Sequence, residues 1–197
     1  MAAVQAQKGE IRFPVPDENF LKAIKGQPTE HLPQQGSVPN RFKALGAKVG
    51  DDFDPDVVVQ TMQQAWLALC HRIWERVLSP NLEDERQLAV TREIWFRQVS
   101  QFWEINWCLT DEAERSDLLD RRKNWRSHVA PDEPGVKCMM MSGWQELSGL
   151  ERPSQKPLDA FWDALRDKLK HGKTDLRPGE CLSALAFVKR RFVRHFA

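Results

Sequence analysis

Between Asp54-Pro55 and Ser79-Pro80, the apolar residues Val58, Met62, Ala65, Trp66, Leu69, Ile73, Trp74 and Val77 recur at spacings of three and four. That period puts them on one stripe of a long α-helix. The start is marked chemically: the Asp54 carboxylate caps open N–H groups, and proline at the first helical position gives up no hydrogen bond. A helix with so long an apolar stripe needs a second layer to cover it. A second helix is predicted from about Glu83 to Ser100, with Leu88, Ile94, Trp95 and Val99 inward, and a third over 158–169 with Phe161, Trp162 and Leu165. A last helix opens at Glu180 and keeps helical spacing through Leu182, Leu185, Ala186, Lys189 and Phe192. No glycine stop follows it, as expected of a piece of a longer protein or of an end that docks on a partner.

The period changes at Gln101. Trp103, Ile105, Trp107 and Leu109 alternate with Phe102, Glu104, Asn106 and Cys108, which predicts a strand over 102–109. Residues 41–48 alternate more weakly. The expected fold is therefore α+β, mostly helical, with a small antiparallel sheet built from 41–48 and 102–109 and left incomplete by partner strands outside the chain. Pro14, Pro16, Pro28 and Pro33 make residues 1–38 an extended or poorly ordered segment.

Composition limits the function classes. Lys and Arg total 29 against 28 Asp and Glu, a net charge of +1, which argues against a dedicated polybasic protein but leaves room for local basic patches. No apolar run is long enough to span a membrane, and residues 1–10 lack the apolar stretch of a secretory signal, so a cytoplasmic setting without membrane partners is expected. The cysteines, at 70, 108, 138 and 181, form no Cys-x-x-Cys pair, which argues against a complete tetra-cysteine zinc site. Eight Trp with no Tyr points to large rings at contacts between elements or chains.

Reactive constellations are hard to find. His171-Gly172-Lys173-Thr174 ends like a phosphate-binding loop, but Asp167 stands where the first glycine belongs and Arg177-Pro178-Gly179 follows where a helix should. Asp51, Asp52 and Asp54 lack the glycine and later Glu of a calcium loop. Cys70 and His71 are adjacent on a helix and so point about 100° apart, poorly placed as joint ligands. Two basic clusters remain: Arg121, Arg122, Lys123 and Arg126 around Trp125, and Lys189, Arg190, Arg191 and Arg194, which have no acid between them. Long cations beside an aromatic ring suit phosphate and base contact; a solvated or protein-facing helix surface is the other reading.

Several stretches together resemble a known family: Val38-Pro39-Asn40-Arg41-Phe42; Ile94-Trp95-Phe96-Arg97-Gln98 leading into Phe102-Trp103-Glu104-Ile105-Asn106-Trp107; Arg121-Arg122-Lys123-Asn124; Gly135-Val136-Lys137-Cys138; Phe161-Trp162; and Gly179-Glu180-Cys181-Leu182-Ser183-Ala184-Leu185-Ala186-Phe187-Val188-Lys189-Arg190. In order and approximate spacing they resemble the large subunit of type III-B (Cmr-type) CRISPR effector complexes, the CRISPR polymerase family. The resemblance implies a ferredoxin-like, palm-type domain over 39–178 with helical insertions, and the start of a following helical domain over 179–197. In that family the subunit scaffolds a guide-RNA complex, a Gly-Gly-Asp-Asp palm makes cyclic oligoadenylate from ATP, and an HD domain cuts single-stranded DNA. This chain has neither a Gly-Gly-Asp-Asp nor a His-Asp pair, so it resembles a fragment without the catalytic parts. Where the family carries a zinc-binding Cys-x-x-Cys after Gly-x-Lys, only Cys138 is kept and Met141 takes the partner's place, a degenerate zinc-ligand position. The expectation is a non-catalytic scaffold segment with no cofactor of its own, ATP and a divalent metal belonging to the complete subunit. Its partners would be the other complex subunits, with crRNA and target RNA. The rivals are part of an ATP-binding cyclic oligoadenylate synthase whose catalytic residues lie elsewhere, and a stand-alone helical interaction module.

Overall fold

Helix α1 (Ala2–Ala6) ends where Lys8 takes a left-handed φ of 64°, with the Lys8 and Gly9 N–H groups returning to the Gln5 and Val4 carbonyls at 2.9 Å each. The reversal leads into β1 (Glu10–Phe13), which pairs antiparallel with β2 (Lys43–Leu45). Glu10 lies opposite Leu45 and Ile11 opposite Ala44, with an irregularity before Phe13 meets Lys43. The computed structural model describes residues 2–13, 17–19, 22, 27–30, 41–45, 53–112, 115, 117–119, 131–152 and 154–194. Among them the sheet is these two strands, and the fold is α+β and mostly helical. The strand expected near 41–48 forms over Lys43–Leu45, with 41 and 42 outside it and 46–48 outside the described residues. Its partner is β1, drawn from the proline-punctuated N-terminal segment, and not 102–109.

The chain divides into two compact units, Met1–Met62 with Trp107–Leu118, and Gln63–Asn106 with Leu119–Ala197. In the first, the Gln7 side-chain amide mimics a neighbouring strand. It donates to the Asp54 carbonyl at 3.0 Å and accepts the Asp54 N–H at 2.7 Å. That clamp fixes the residue that starts helix α2 (Pro55–Ile73), where the Asp54 carboxylate caps the Asp56 N–H at 2.8 Å. The Asp-Pro start is where the sequence predicts it.

The second unit holds the core. Helix α2 passes into a π-helical turn (Trp74–Leu78) and a 3-10 turn (Ser79–Asn81), ending at the predicted Ser79-Pro80. Helix α3 (Glu85–Ser100) begins where Asp84 accepts the Gln87 N–H at 2.6 Å. After the irregular segment 131–150 come α4 (Gln155–Lys168), the short α5 (Gly172–Asp175) and α6 (Ala184–Arg191), which continues as a 3-10 turn (Phe192–Arg194). Cys70, Ile73, Trp74, Leu78, Ile94, Trp95, Trp162, Leu165, Leu182 and Phe187 are all buried together. Trp95 has its ring 5.7 Å from that of Trp74 and 6.0 Å, edge-on, from that of Phe187. Trp74 and Trp95 are thus joints between helices, as composition suggested for some of the eight, whereas Trp103 and Trp107 are exposed.

The strand predicted over 102–109 does not form; these residues are irregular. In a strand, neighbours face opposite ways. Here consecutive Phe102 and Trp103 both pack on Trp66, with ring centres 5.4 and 5.9 Å away. Trp66 is itself held by its indole N–H, which donates to the Val99 carbonyl at 2.8 Å. Ring packing on one side overrides the period-two pattern. No helix among the described residues is long and apolar enough to cross a membrane.

Replacing Trp95 with Ala should lower unfolding free energy by about 3–5 kcal/mol, a core truncation. Trp103, 43% exposed, loses only ring contacts on truncation, and Trp103→Ala should cost about 1 kcal/mol. Urea unfolding of the two variants would show the order; equal losses would contradict this placement of the core.

Candidate functional site

A cluster of four cations without an intervening acid looks in sequence like an anion-binding face. Folding supplies acids from upstream. Helix α5 presents Asp175, whose carboxylate pairs with the buried Arg191 and accepts from Arg194 Nε at 2.9 Å and Nη2 at 2.8 Å. Arg191 also donates to the Lys170 carbonyl at 3.0 Å. Arg190 pairs with Glu180 at 2.8 Å, and Glu180 in turn accepts the Arg177 N–H at 3.0 Å. Burial alone would raise the Asp175 carboxyl, but Arg194 and Arg191 outweigh it and hold its pKa below 3.8. Three of the four predicted contact residues, Arg190, Arg191 and Arg194, are therefore engaged in intramolecular ion pairs, although Arg194, like Lys189, is exposed. The other predicted cluster, Arg121, Arg122, Lys123, Trp125 and Arg126, lies outside the described residues.

The degenerate zinc-ligand position falls in a small hairpin. The Cys138 N–H bonds the Trp144 carbonyl at 2.8 Å, Glu146 N–H bonds Val136 at 2.9 Å, and Lys137 bridges Gln145. Gly143 turns the chain at φ 84°, where a Cβ would lie 2.0 Å from the Pro131 carbonyl oxygen, so no other residue fits. Cys138 is buried, and its sulfur accepts the Met140 N–H at 3.4 Å. Cys181, 43 positions later, is brought alongside: the Met139 N–H bonds its carbonyl at 3.0 Å, and its thiol donates to the Lys137 carbonyl at 3.6 Å. Met139 and Met140 are exposed at the tip, while Met141 packs against the core.

Two residues that sequence reasoning left without a role organise this region. Gln98 is fully buried, and its amide uses both ends. Nε2 donates to Glu133 at 2.6 Å and to the Gln145 carbonyl at 2.8 Å; Oε1 accepts the Ala184 N–H at 2.7 Å. Glu146 is also fully buried. One carboxylate oxygen accepts from the Ser148 N–H and from the Trp162 indole, both at 2.8 Å, and the other from the Ser148 hydroxyl. Burial raises the Glu146 pKa, and the bonds from Ser148, Trp162 and Leu150 only partly offset it. A signal was available for Gln98: it follows Thr91, Ile94 and Trp95 on the core face of α3, where a polar residue needs a partner.

No group of three or more His, Cys, Asp or Glu among the described residues is arranged to hold a metal ion. Burial pushes the Cys70 thiol up to about 12, which leaves it protonated and unreactive at neutral pH. The bonds of Gln98, Glu133 and Glu146 are polar joints between segments. No family model, curated protein or solved structure matches the chain.

Asp175 tests the ion-pair assignment. Its depressed pKa gives stability that is present above the unfolded value and lost as pH falls through the folded one. Asp175→Asn should cost about 3 kcal/mol at pH 7, because Arg191 is left buried and uncompensated. The gap from wild type should close below pH 3.8. Urea midpoints across that range would decide it; a gap independent of pH would rule the assignment out.

Proposed function

We propose that the chain is a non-catalytic scaffold segment of the large subunit of a type III CRISPR effector complex, acting by contact within a crRNA-guided ribonucleoprotein. The observation that carries this reading is a convergence. Three of the stretches on which the resemblance rests, 94–98, 135–138 and 179–190, are far apart in sequence and meet in one joint. Gln98 reaches Ala184 at 2.7 Å, and Met139, next to Cys138, reaches Cys181 at 3.0 Å. Residues that resemble a family in order and spacing gain weight when they also pack together, since packing is a physical reason for the pattern.

The chemistry favours scaffold over catalyst. The described groups with shifted pKa values sit in structural bonds or in apolar burial, and none pairs a nucleophile with a base. Phosphate contact, on this reading, belongs to Arg121, Arg122, Lys123 and Arg126 with Trp125 as a stacking ring. Arg190, Arg191 and Arg194 are spent on Glu180 and Asp175. Exposed Met139, Met140 and Trp103 are apolar surface suited to neighbouring subunits.

The test is co-expression of the tagged chain with the remaining subunits of such a complex and a crRNA. Association with subunits and RNA is expected, and a chain that always purifies alone would overturn the proposal. Incubated with ATP and Mg2+, the isolated chain should make no cyclic oligoadenylate. Product formation would instead support the synthase reading.

A further inference from the structure

The hairpin around Cys138 has the outline of a metal knuckle: a cysteine whose sulfur accepts the N–H two residues on, a glycine turn, and a second cysteine brought alongside from a distant segment. We infer that this element is closed by two carboxylates, the partly buried Glu133 and the fully buried Glu146, each acting as the cross-linking centre that an ion supplies in a zinc knuckle. The inference concerns this chain's folding and stands whether or not the CRISPR reading holds.

The donor set does not fit zinc. Structural zinc takes four ligands from thiolate, imidazole and carboxylate. Beyond Cys138 and Cys181, the sequence offers Met141 at the remaining knuckle position, a partly buried thioether packed against the core, which suits zinc poorly. The Cys181 thiol gives its hydrogen to the Lys137 carbonyl, whereas a metal needs the thiolate. Glu146 cannot serve as a ligand without losing its own bonds, since both oxygens already accept from Ser148 and one also from Trp162.

What an ion would join, the carboxylates join. Glu133 accepts Arg97 Nε at 2.9 Å on one oxygen, and Gln98 Nε2 at 2.6 Å and the Gln145 N–H at 2.8 Å on the other. It thus ties the hairpin's entering strand to its returning strand and both to α3. Glu146 ties the turn at Ser148 to α4 through the Trp162 indole at 2.8 Å. Each centre takes at least three directed bonds from two or more segments, which is the geometric work of a knuckle metal done with hydrogen bonds.

The experiment uses the full chain expressed in zinc-supplemented medium. Metal content is measured by mass spectrometry, and thermal unfolding is followed with and without excess EDTA and 1,10-phenanthroline. Well under one equivalent of zinc and an unchanged midpoint are expected. One equivalent of zinc, or a midpoint lowered by chelation, would overturn the inference. Variants add an independent arm. Glu133→Ala should lower the midpoint by several degrees, more than Cys138→Ala. If Glu133→Ala does not fold at all, the milder Glu133→Gln is compared with Cys138→Ala in its place, and a larger loss from the cysteine variant would count against the assignment.

Discussion

Burying a primary amide costs free energy unless its donors and acceptor all find partners, and Gln98 sits at zero exposure in the middle of the second unit. Its three partners come from three places: the carboxylate of Glu133, the carbonyl of Gln145 and the N–H of Ala184. The last is a first-turn N–H of α6, one of the donors a helix leaves open. Another open donor of that turn is taken by Ser183, whose hydroxyl accepts the Ala186 N–H at 3.3 Å. So the start of α6, the hairpin and α3 share a single anchor. The same face of α3 repeats the device: Thr91 donates to the Leu147 carbonyl at 2.9 Å, and Gln87 to the Ser148 carbonyl at 2.8 Å. Irregular backbone at 144–148 can be buried because this helix offers it donors in place of water.

The two carboxylates at the heart of the unit are stabilised by different means, and their pH responses have opposite sign. Asp175 faces two guanidinium groups and is held ionised, so its contribution fades as acid protonates it. Glu146 faces only neutral donors, and burial dominates. Its raised pKa means that its contribution is greatest below the ordinary carboxylate value and declines as pH climbs through the folded one. The unit therefore loses something at both ends, with Asp175 guarding the C-terminal helix at neutral pH and Glu146 favouring mildly acidic conditions.

The ends of the long helix were legible because their chemistry is local, whereas the last helix, expected from Glu180, starts at Ala184 behind the Ser183 cap. Asp54-Pro55 marks a start and Ser79-Pro80 an end without reference to anything distant. The 102–109 segment misled because alternation reports only that apolar residues recur, not what lies beside them. With Trp66 anchored near Val99, two successive rings gain more from one partner than from opposite faces of a ladder. Strand β1 was obscured by the prolines after it, though its own four residues contain none. The cation cluster failed as a site for a related reason. Its counter-charges, Asp175 and Glu180, lie 10 to 19 residues upstream, beyond any helical spacing, and only the turn through α5 and the connector brings them round.

This pairing bears on what the surface is for. An arginine held by a buried carboxylate is poorly available to phosphate, since leaving its partner strands a charge in the core. Arg191 and Arg194 share Asp175, so moving either weakens the other. The last helix is accordingly a fixed strut, with Arg190 and Arg191 turned to internal use, Lys189 exposed and its apolar residues from Leu185 to Val188 buried. What the second unit leaves outward near the anchor includes the exposed Lys137–Asp132 ion pair and two thioethers, Met139 at 65% and Met140 at 56% exposure, on the tip of a hairpin made stiff by Glu133 and Gly143. Flexible thioethers on a rigid mount conform to a neighbour at small entropic cost to the backbone. The physical contrast within the unit is thus between arginines fixed by internal acids and thioethers left exposed on a braced turn.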